Sequence, residues 1–132
     1  MTFEESDLDL LASTKEIRVE TRSNTGEVHK TVVWPVVRGG TVYLRSYRGP
    51  QGRWYREAIA DPDIALLFDR RRVPGRAVQA TDAASVEACS AALREKYPRS
   101  YSLEAMLVPD VLPTTLRIEP APAEIAATGS AR

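Results

Sequence analysis

The chain has 132 residues, enough for one domain with its own core and no need of a disulfide or a structural metal. Lys plus Arg and Asp plus Glu each total 18, so the formal net charge is zero. That balance excludes a global pull toward nucleic acid or an acidic membrane, and any anion site must come from local clustering. Cys89 is the only cysteine, which excludes an internal disulfide and points to a reducing compartment. No apolar run approaches the ~18 residues of a membrane span, and the acidic start Met1-Thr2-Phe3-Glu4-Glu5 lacks a signal-peptide pattern. The expected location is the cytoplasm.

Ser6-Asp7-Leu8-Asp9 opens a short helix, with Ser6 as the expected cap and Asp9 at capping-box spacing. Strict alternation follows. Ile17, Val19 and Thr21 point one way and Arg18, Glu20 and Arg22 the other, the pattern of a half-buried strand. Ser23-Asn24-Thr25-Gly26 reads as a turn. Residues 29–38 read as one strand, apolar on both faces through Val32, Val33, Trp34, Val36 and Val37, which predicts a central position or a covered second face. Gly39-Gly40 is a two-residue hairpin loop, and residues 41–47 return as a third strand.

A loop of turn residues spans 48–52, and a helix over 53–60 ends before Asp61-Pro62. Residues 64–68 form a buried strand, Asp69-Arg70-Arg71-Arg72 a polar turn, and 73–80 another strand, whose Pro74-Gly75 predicts an edge or a bulge. Asp82 caps the longest helix, with Val86, Cys89, Leu93 and Tyr97 on its inner face and Pro98 as its stop. A short helix near 103–107 precedes a last strand at 114–119, with Leu116 and Ile118 inward. The Ala-, Pro- and Ser-containing tail 120–132 reads as flexible, so the domain is placed at 1–119. The expected fold is mainly β (α+β): a six-stranded antiparallel barrel with peripheral helices.

The stretch Ser46-Tyr47-Arg48-Gly49-Pro50-Gln51-Gly52-Arg53-Trp54-Tyr55-Arg56 runs from a strand end through a glycine loop into a helix N-terminus. Free backbone N–H groups at a helix start favour phosphate. Arg45, Arg48, Arg53 and Arg56 add charge that grips phosphate in pairs of hydrogen bonds. The competing reading is an exposed loop with solvated arginines and Trp54 in the core. His29, the only histidine, has no companions at metal-ligand spacing, so no metal site is expected and it is placed at a strand start or a pocket edge. Cys89 reads as a core residue, Arg70-Arg71-Arg72 as a solvated hairpin, and Tyr97, Tyr101 and Met106 as packing or pocket-lining groups.

The string VWPVVRGGTVYLRSYRGPQGRWYREAIADP resembles the middle of split-barrel flavin and deazaflavin proteins. More narrowly, it resembles a small functionally unassigned family of the FMN-binding split β-barrel superfamily, which is pyridoxamine-phosphate-oxidase-like and deazaflavin-dependent-nitroreductase-like. Arg22, Ser23, Thr31, Trp34, Pro35, Ser46, Gly49, Trp54, Tyr55 and Asp61-Pro62 carry the resemblance, over about 16–81. It implies FMN or a 5-deazaflavin coenzyme bound in a homodimer. The ring would lie against the strand carrying Thr31, Val33 and Trp34. The phosphate end would meet Ser46, Tyr47, Arg48, Arg53 and the Trp54-Tyr55 helix start. Hydride chemistry would belong to the cofactor, so the resemblance names no catalytic acid, base or nucleophile. Two function classes stand: an oxidoreductase acting on a small molecule, or a non-catalytic barrel that holds flavin, haem or a partner. Nucleic-acid binding is disfavoured by the zero net charge.

Overall fold

The computed structural model describes residues 3–121. Helix α1, Glu5–Ser13, precedes strand β1, Ile17–Arg22, in which the expected alternation places Ile17, Val19 and Thr21 inside. Ser6 does not cap α1: the N-cap is Glu4, without a side-chain bond, and Ser6 lies in the first turn near Arg71. The Ser23 hydroxyl shapes the following turn, accepting from the Glu27 backbone N–H at 3.1 Å.

The expected strand 29–38 is two strands. Strand β2, Val28–Val33, stops at Trp34-Pro35, and β3 is Val36–Arg38. Proline has no N–H for a ladder and restricts the residue before it, so the ladder ends there. The sheet therefore has seven strands rather than six. The others are β4, Thr41–Leu44; β5, Asp63–Phe68; β6, Arg71–Gln79; and β7, Leu116–Pro120. Helix α2 is Arg53–Ala60, and α3 is Ala83–Lys96, capped as expected by Asp82, which accepts from the Ser85 N–H at 3.0 Å. Single 3₁₀ turns occupy Gly49–Gln51, Glu104–Met106 and Leu112–Thr114. Of the tail 120–132, expected to be flexible, Pro120 is instead the last residue of β7, and the residues beyond 121 lie outside the described ones.

The strand order is β2-β1-β5-β6-β7-β4-β3, antiparallel throughout. Strands β2 and β3 are thus the two edges, not the centre. Six interstrand steps of ~4.8 Å would set the edges of a flat sheet ~29 Å apart. Yet Val33 and Val36 are linked by only Trp34 and Pro35, three Cα steps that reach at most ~11 Å. The sheet must roll until its edges approach, while no ladder joins them. The result is an antiparallel split barrel with its seam at Trp34-Pro35.

Val19, Val42, Leu44, Leu66, Leu116 and Ile118 fill the barrel, and Trp54 and Ala58 of α2 pack into the same core. A second core lies under α3, where Val36 and Tyr43 meet Cys89, Leu93, Tyr97 and Met106. The expected second apolar face therefore divides. Val36 on β3 is covered, but Val28 and Val32 on β2 are exposed by 47% and 57%. Strand β6 is interior, against the expectation from Pro74-Gly75. The partner strand β7 ends opposite Gly75, so Pro74 occupies a local edge within an interior strand. A Cβ on Gly75 would come within 3.0 Å of Ile118, so glycine is required there by close approach and not by a bulge.

Candidate functional site

At the seam the structure opens a cleft of about 720 Å³. Its walls come from four places in the sequence: Glu16 just before β1, the end of β2 with Trp34, the end of β4 and its following loop with the start of α2, and the segment around Ser102 and Met106. Eight of the nine residues singled out from sequence line it: Thr31, Val33, Trp34, Ser46, Tyr47, Arg48, Arg53 and Trp54. Tyr55 does not. It turns away, edge-on to Trp54, with its hydroxyl 3.5 Å from the Pro113 carbonyl.

The β4–α2 loop is held by Ser46. Its hydroxyl donates to the Gly49 carbonyl at 2.7 Å, and its backbone N–H donates to the Thr114 hydroxyl at 3.0 Å. Ser46 is buried, so its hydroxyl shapes the loop rather than facing the cleft. Gly49 adopts φ +69°, which a side chain would strain. Gly52 caps α2 with no side-chain bond, leaving the first N–H groups of the helix without a side-chain partner. Arg48, Arg53 and Arg56 are exposed around that helix start, and among the described residues none has a carboxylate within salt-bridge distance. Arg53 reaches back to the Thr31 hydroxyl at 3.3 Å and so bridges α2 to β2 across the seam.

Trp34 is fixed from behind. Its ring stacks on Tyr97 at 4.0 Å between centroids and 16° between planes. The neighbouring Pro35 carbonyl accepts from Lys96 Nζ at 2.6 Å and from the Tyr97 hydroxyl at 3.3 Å, and Lys96 also bonds the Leu11 carbonyl at 2.8 Å. Burial pushes the Lys96 pKa down to about 8 and drives that of Tyr97 upward. The tyrosine therefore stays a neutral donor. The inner-face spacing of Tyr97 was legible in the sequence, but its partnership with Trp34 was not.

Arg45 departs from the sequence reading, which grouped it with the phosphate-gripping arginines. It is buried, and its guanidinium bonds the Thr115 and Ser90 hydroxyls and the Met106 and Val86 carbonyls. Strand alternation directs it to the outer face of β4, but nothing in the local sequence shows that this face is covered. His29 lies outside the cleft: its Nδ1 sits 2.9 Å from Glu57, which also accepts from the Thr21 hydroxyl at 2.7 Å. That cluster ties β1 and β2 to α2. Among the described residues no group of three or more His, Cys, Asp and Glu could hold a metal, and no helix is long and apolar enough to cross a membrane.

Charge is the cleft's main feature. Four arginines and one glutamate, Glu16, line it, in a chain of zero net charge. It is concave, partly apolar and large enough for a nucleotide-sized molecule.

Several solved structures share this fold. The conserved hypothetical protein Rv2991 from Mycobacterium tuberculosis superposes with a TM-score of 0.68 at 15% identity, covering 93% of this chain and 82% of that one. HutZ, the haem storage protein from Vibrio cholerae, gives 0.63 at 12% identity with 93% of each chain covered. An F420-H2 dependent reductase gives 0.64 at 15% identity over 80% of this chain and 95% of the other. These likenesses bear out the split-barrel fold that the sequence resemblance implied. Among curated proteins no sequence matches. Residues 7–118, which span the seam, the arginine loop and every strand core, match one family throughout, and the chain belongs to it: the family described as "Uncharacterized protein conserved in bacteria (DUF2255)".

Proposed function

We propose that the cleft binds a flat, phosphate-bearing cofactor of flavin type, FMN or a 5-deazaflavin coenzyme, and that the protein is an oxidoreductase acting on a small molecule. The observation that carries this reading is one cleft combining an aromatic wall with three exposed arginines at the start of α2. The donor set fits the group. Arg48, Arg53 and Arg56 suit a phosphate, and the backbone N–H groups at the start of α2 suit the same anion. Trp34, backed by Tyr97, offers a rigid flat wall to a ring. Such a cofactor supplies hydride transfer when bound. The chain's own residues bind, orient and shield it, and no side chain is assigned as acid or base.

The fold shared with an F420-H2 dependent reductase supports a deazaflavin. The fold shared with a haem storage protein supports haem, but here the sole histidine is engaged by Glu57 and lies outside the cleft, so haem is the weaker candidate. A non-catalytic flavin carrier would use the same walls. We also propose a homodimer. The exposed Val28 and Val32 lie on the unpaired edge β2, and Val32 and Tyr47 rim the cleft, so a second copy would cover apolar surface and narrow the mouth together.

The test is titration of FMN, riboflavin and F420 into wild type and Arg53→Ala, followed by absorbance and fluorescence. A hydrogen bond to a charged group is worth about 1.5–3 kcal/mol, so Arg53→Ala should weaken FMN by roughly ten- to a hundredfold and riboflavin little. Equal losses for FMN and riboflavin would remove the phosphate from Arg53. Failure of all three to bind wild type would overturn the cofactor reading. Light scattering at micromolar concentration tests the dimer, and a monomer would refute it.

A further inference from the structure

Arg45 is an unusual group to find beneath a cleft. Its residue is 2% exposed, yet it contributes to the cleft wall. Nε donates to the Thr115 hydroxyl at 3.0 Å. Nη1 donates to the Ser90 hydroxyl and the Met106 carbonyl, both at 2.9 Å, and Nη2 to the Val86 carbonyl at 3.1 Å. All four acceptors are neutral. A guanidinium has five N–H bonds, so one on Nη2 has no acceptor among the described residues. No carboxylate lies within salt-bridge distance among those residues, and Glu87, one residue beyond Val86 on α3, is exposed and faces Arg94 at 3.5 Å.

Such an arrangement is costly. Neutral acceptors satisfy hydrogen bonds but do not cancel the charge, and a buried charge is ordinarily paired. Burial pushes the Arg45 pKa down, but a guanidinium remains charged at any ordinary pH. A structural tether between β4, α3 and the Met106 segment could be made from neutral groups. Arg45 is nevertheless among the residues that line the cleft, with only the more distant, exposed Glu87 as a carboxylate opposing its charge, and that placement calls for another explanation.

We infer that Arg45 is a built-in counter-charge for an anionic group on the flat part of the cleft's occupant, on the Met106 and Trp34 side, separate from the phosphate side formed by Arg48, Arg53 and Arg56. Trp34 and Met106 belong to one packed cluster, so a ring against Trp34 would carry its acidic substituent toward Arg45. The ligand class is an aromatic or heteroaromatic ring bearing a carboxylate or an ionised ring amide. This rests on the cleft being the binding site and not on its occupant being a flavin.

The test uses benzoate and benzamide, which share shape and differ in charge, read by tryptophan fluorescence titration and by thermal shift. Wild type should bind benzoate about tenfold more tightly than benzamide, the scale of one charge-assisted contact. The exposed arginines are removed in a triple variant, Arg48→Gln, Arg53→Gln and Arg56→Gln, which leaves the core untouched. The preference should survive there and vanish in Arg45→Gln, while Arg45→Lys keeps part of it. Three results would overturn the inference: equal binding of the two probes by wild type, loss of the preference in the triple variant, or its persistence in folded Arg45→Gln. Should Arg45→Gln fail to fold, the triple variant alone decides. Because neither probe carries phosphate or a flavin ring, failure of FMN to bind and failure of this inference are read separately.

Discussion

Gly52→Ala separates two opposed effects at the base of the cleft. Gly52 has φ −60° and ψ 132°, a conformation alanine adopts freely. On backbone grounds the substitution should stabilise by about 0.4–1 kcal/mol, because alanine restricts the unfolded chain. The new Cβ, however, would sit 2.5 Å from the Ser46 hydroxyl, while its next neighbours, the Gly49 carbonyl at 3.5 Å and Arg48 Cβ at 3.7 Å, are at ordinary contact. One atom is therefore in the way. Moving it breaks the 2.7 Å bond to Gly49 and strands a buried hydroxyl, a cost of about 1–3 kcal/mol. The net expectation is a loss of ~1–2 kcal/mol, or ~3–8 °C in Tm for a domain of this size. Ser46→Ala alone should cost only ~0.5–1.5 kcal/mol, because the Gly49 carbonyl keeps its bond from the Gly52 N–H at 3.1 Å. In the double variant the clash is gone and the entropic gain remains, so adding Ser46→Ala to Gly52→Ala should recover about 1 kcal/mol. Urea and thermal unfolding of the four proteins in a double-mutant cycle measure this directly. Costs that add within ~0.5 kcal/mol, or a Gly52→Ala variant as stable as wild type, would refute the account of the loop.

Lys96 titrates at about 8 in the fold because burial disfavours its charge, so between that pH and its ordinary value the unfolded chain holds more protons and stability rises with pH. Relative to Lys96→Met, wild type should gain stability as pH climbs through that window, a difference that cancels the opposing effects of other groups; a flat difference would show that the ammonium is not desolvated. Cys89 is fully buried and its thiol is pushed up to about 11, so iodoacetamide at neutral pH should label it only on unfolding, and rapid labelling of the native protein would refute its place in the second core. Trp34→Phe should abolish ligand quenching of tryptophan fluorescence and leave Tm nearly unchanged, whereas Trp54→Phe, in the main core, should lower Tm by several degrees and keep the quenching. The reverse pattern would put the ring against α2.

Local features of the fold were legible because they answer to local chemistry. The alternation of β1, the Gly39-Gly40 hairpin, the Asp82 cap and the stop before Asp61-Pro62 each follow from a few neighbouring residues. The break at Trp34-Pro35 was present in the sequence as a proline, but the valines on both sides read as one continuous strand. That misreading hid the chief topological fact. A proline dividing one apolar run let its two halves become opposite edges of the sheet, and the residues at the break became the seam. Which strand pairs with which is decided by long-range burial, and no window of a few residues contains it.

The same distinction governs the site. Thr31 and Arg53 were both singled out in the sequence, 22 residues apart, and their 3.3 Å contact exists only because the sheet rolls. Arg45 and Arg48 differ by three positions and are chemically identical, yet one is buried among neutral acceptors and the other is exposed. The difference arises at the strand end. Val42 and Leu44 face the barrel, so alternation directs Tyr43 and Arg45 to the opposite side, where α3 and the Met106 segment cover them. Sequence periodicity could therefore have assigned Arg45 to the outer face, but only the packing of α3 turns that face into an interior. Burying an arginine there without a carboxylate puts positive charge beside the seam at a cost to the fold. On the inference drawn above, positive charge at such a wall answers an anion brought by the cleft's occupant.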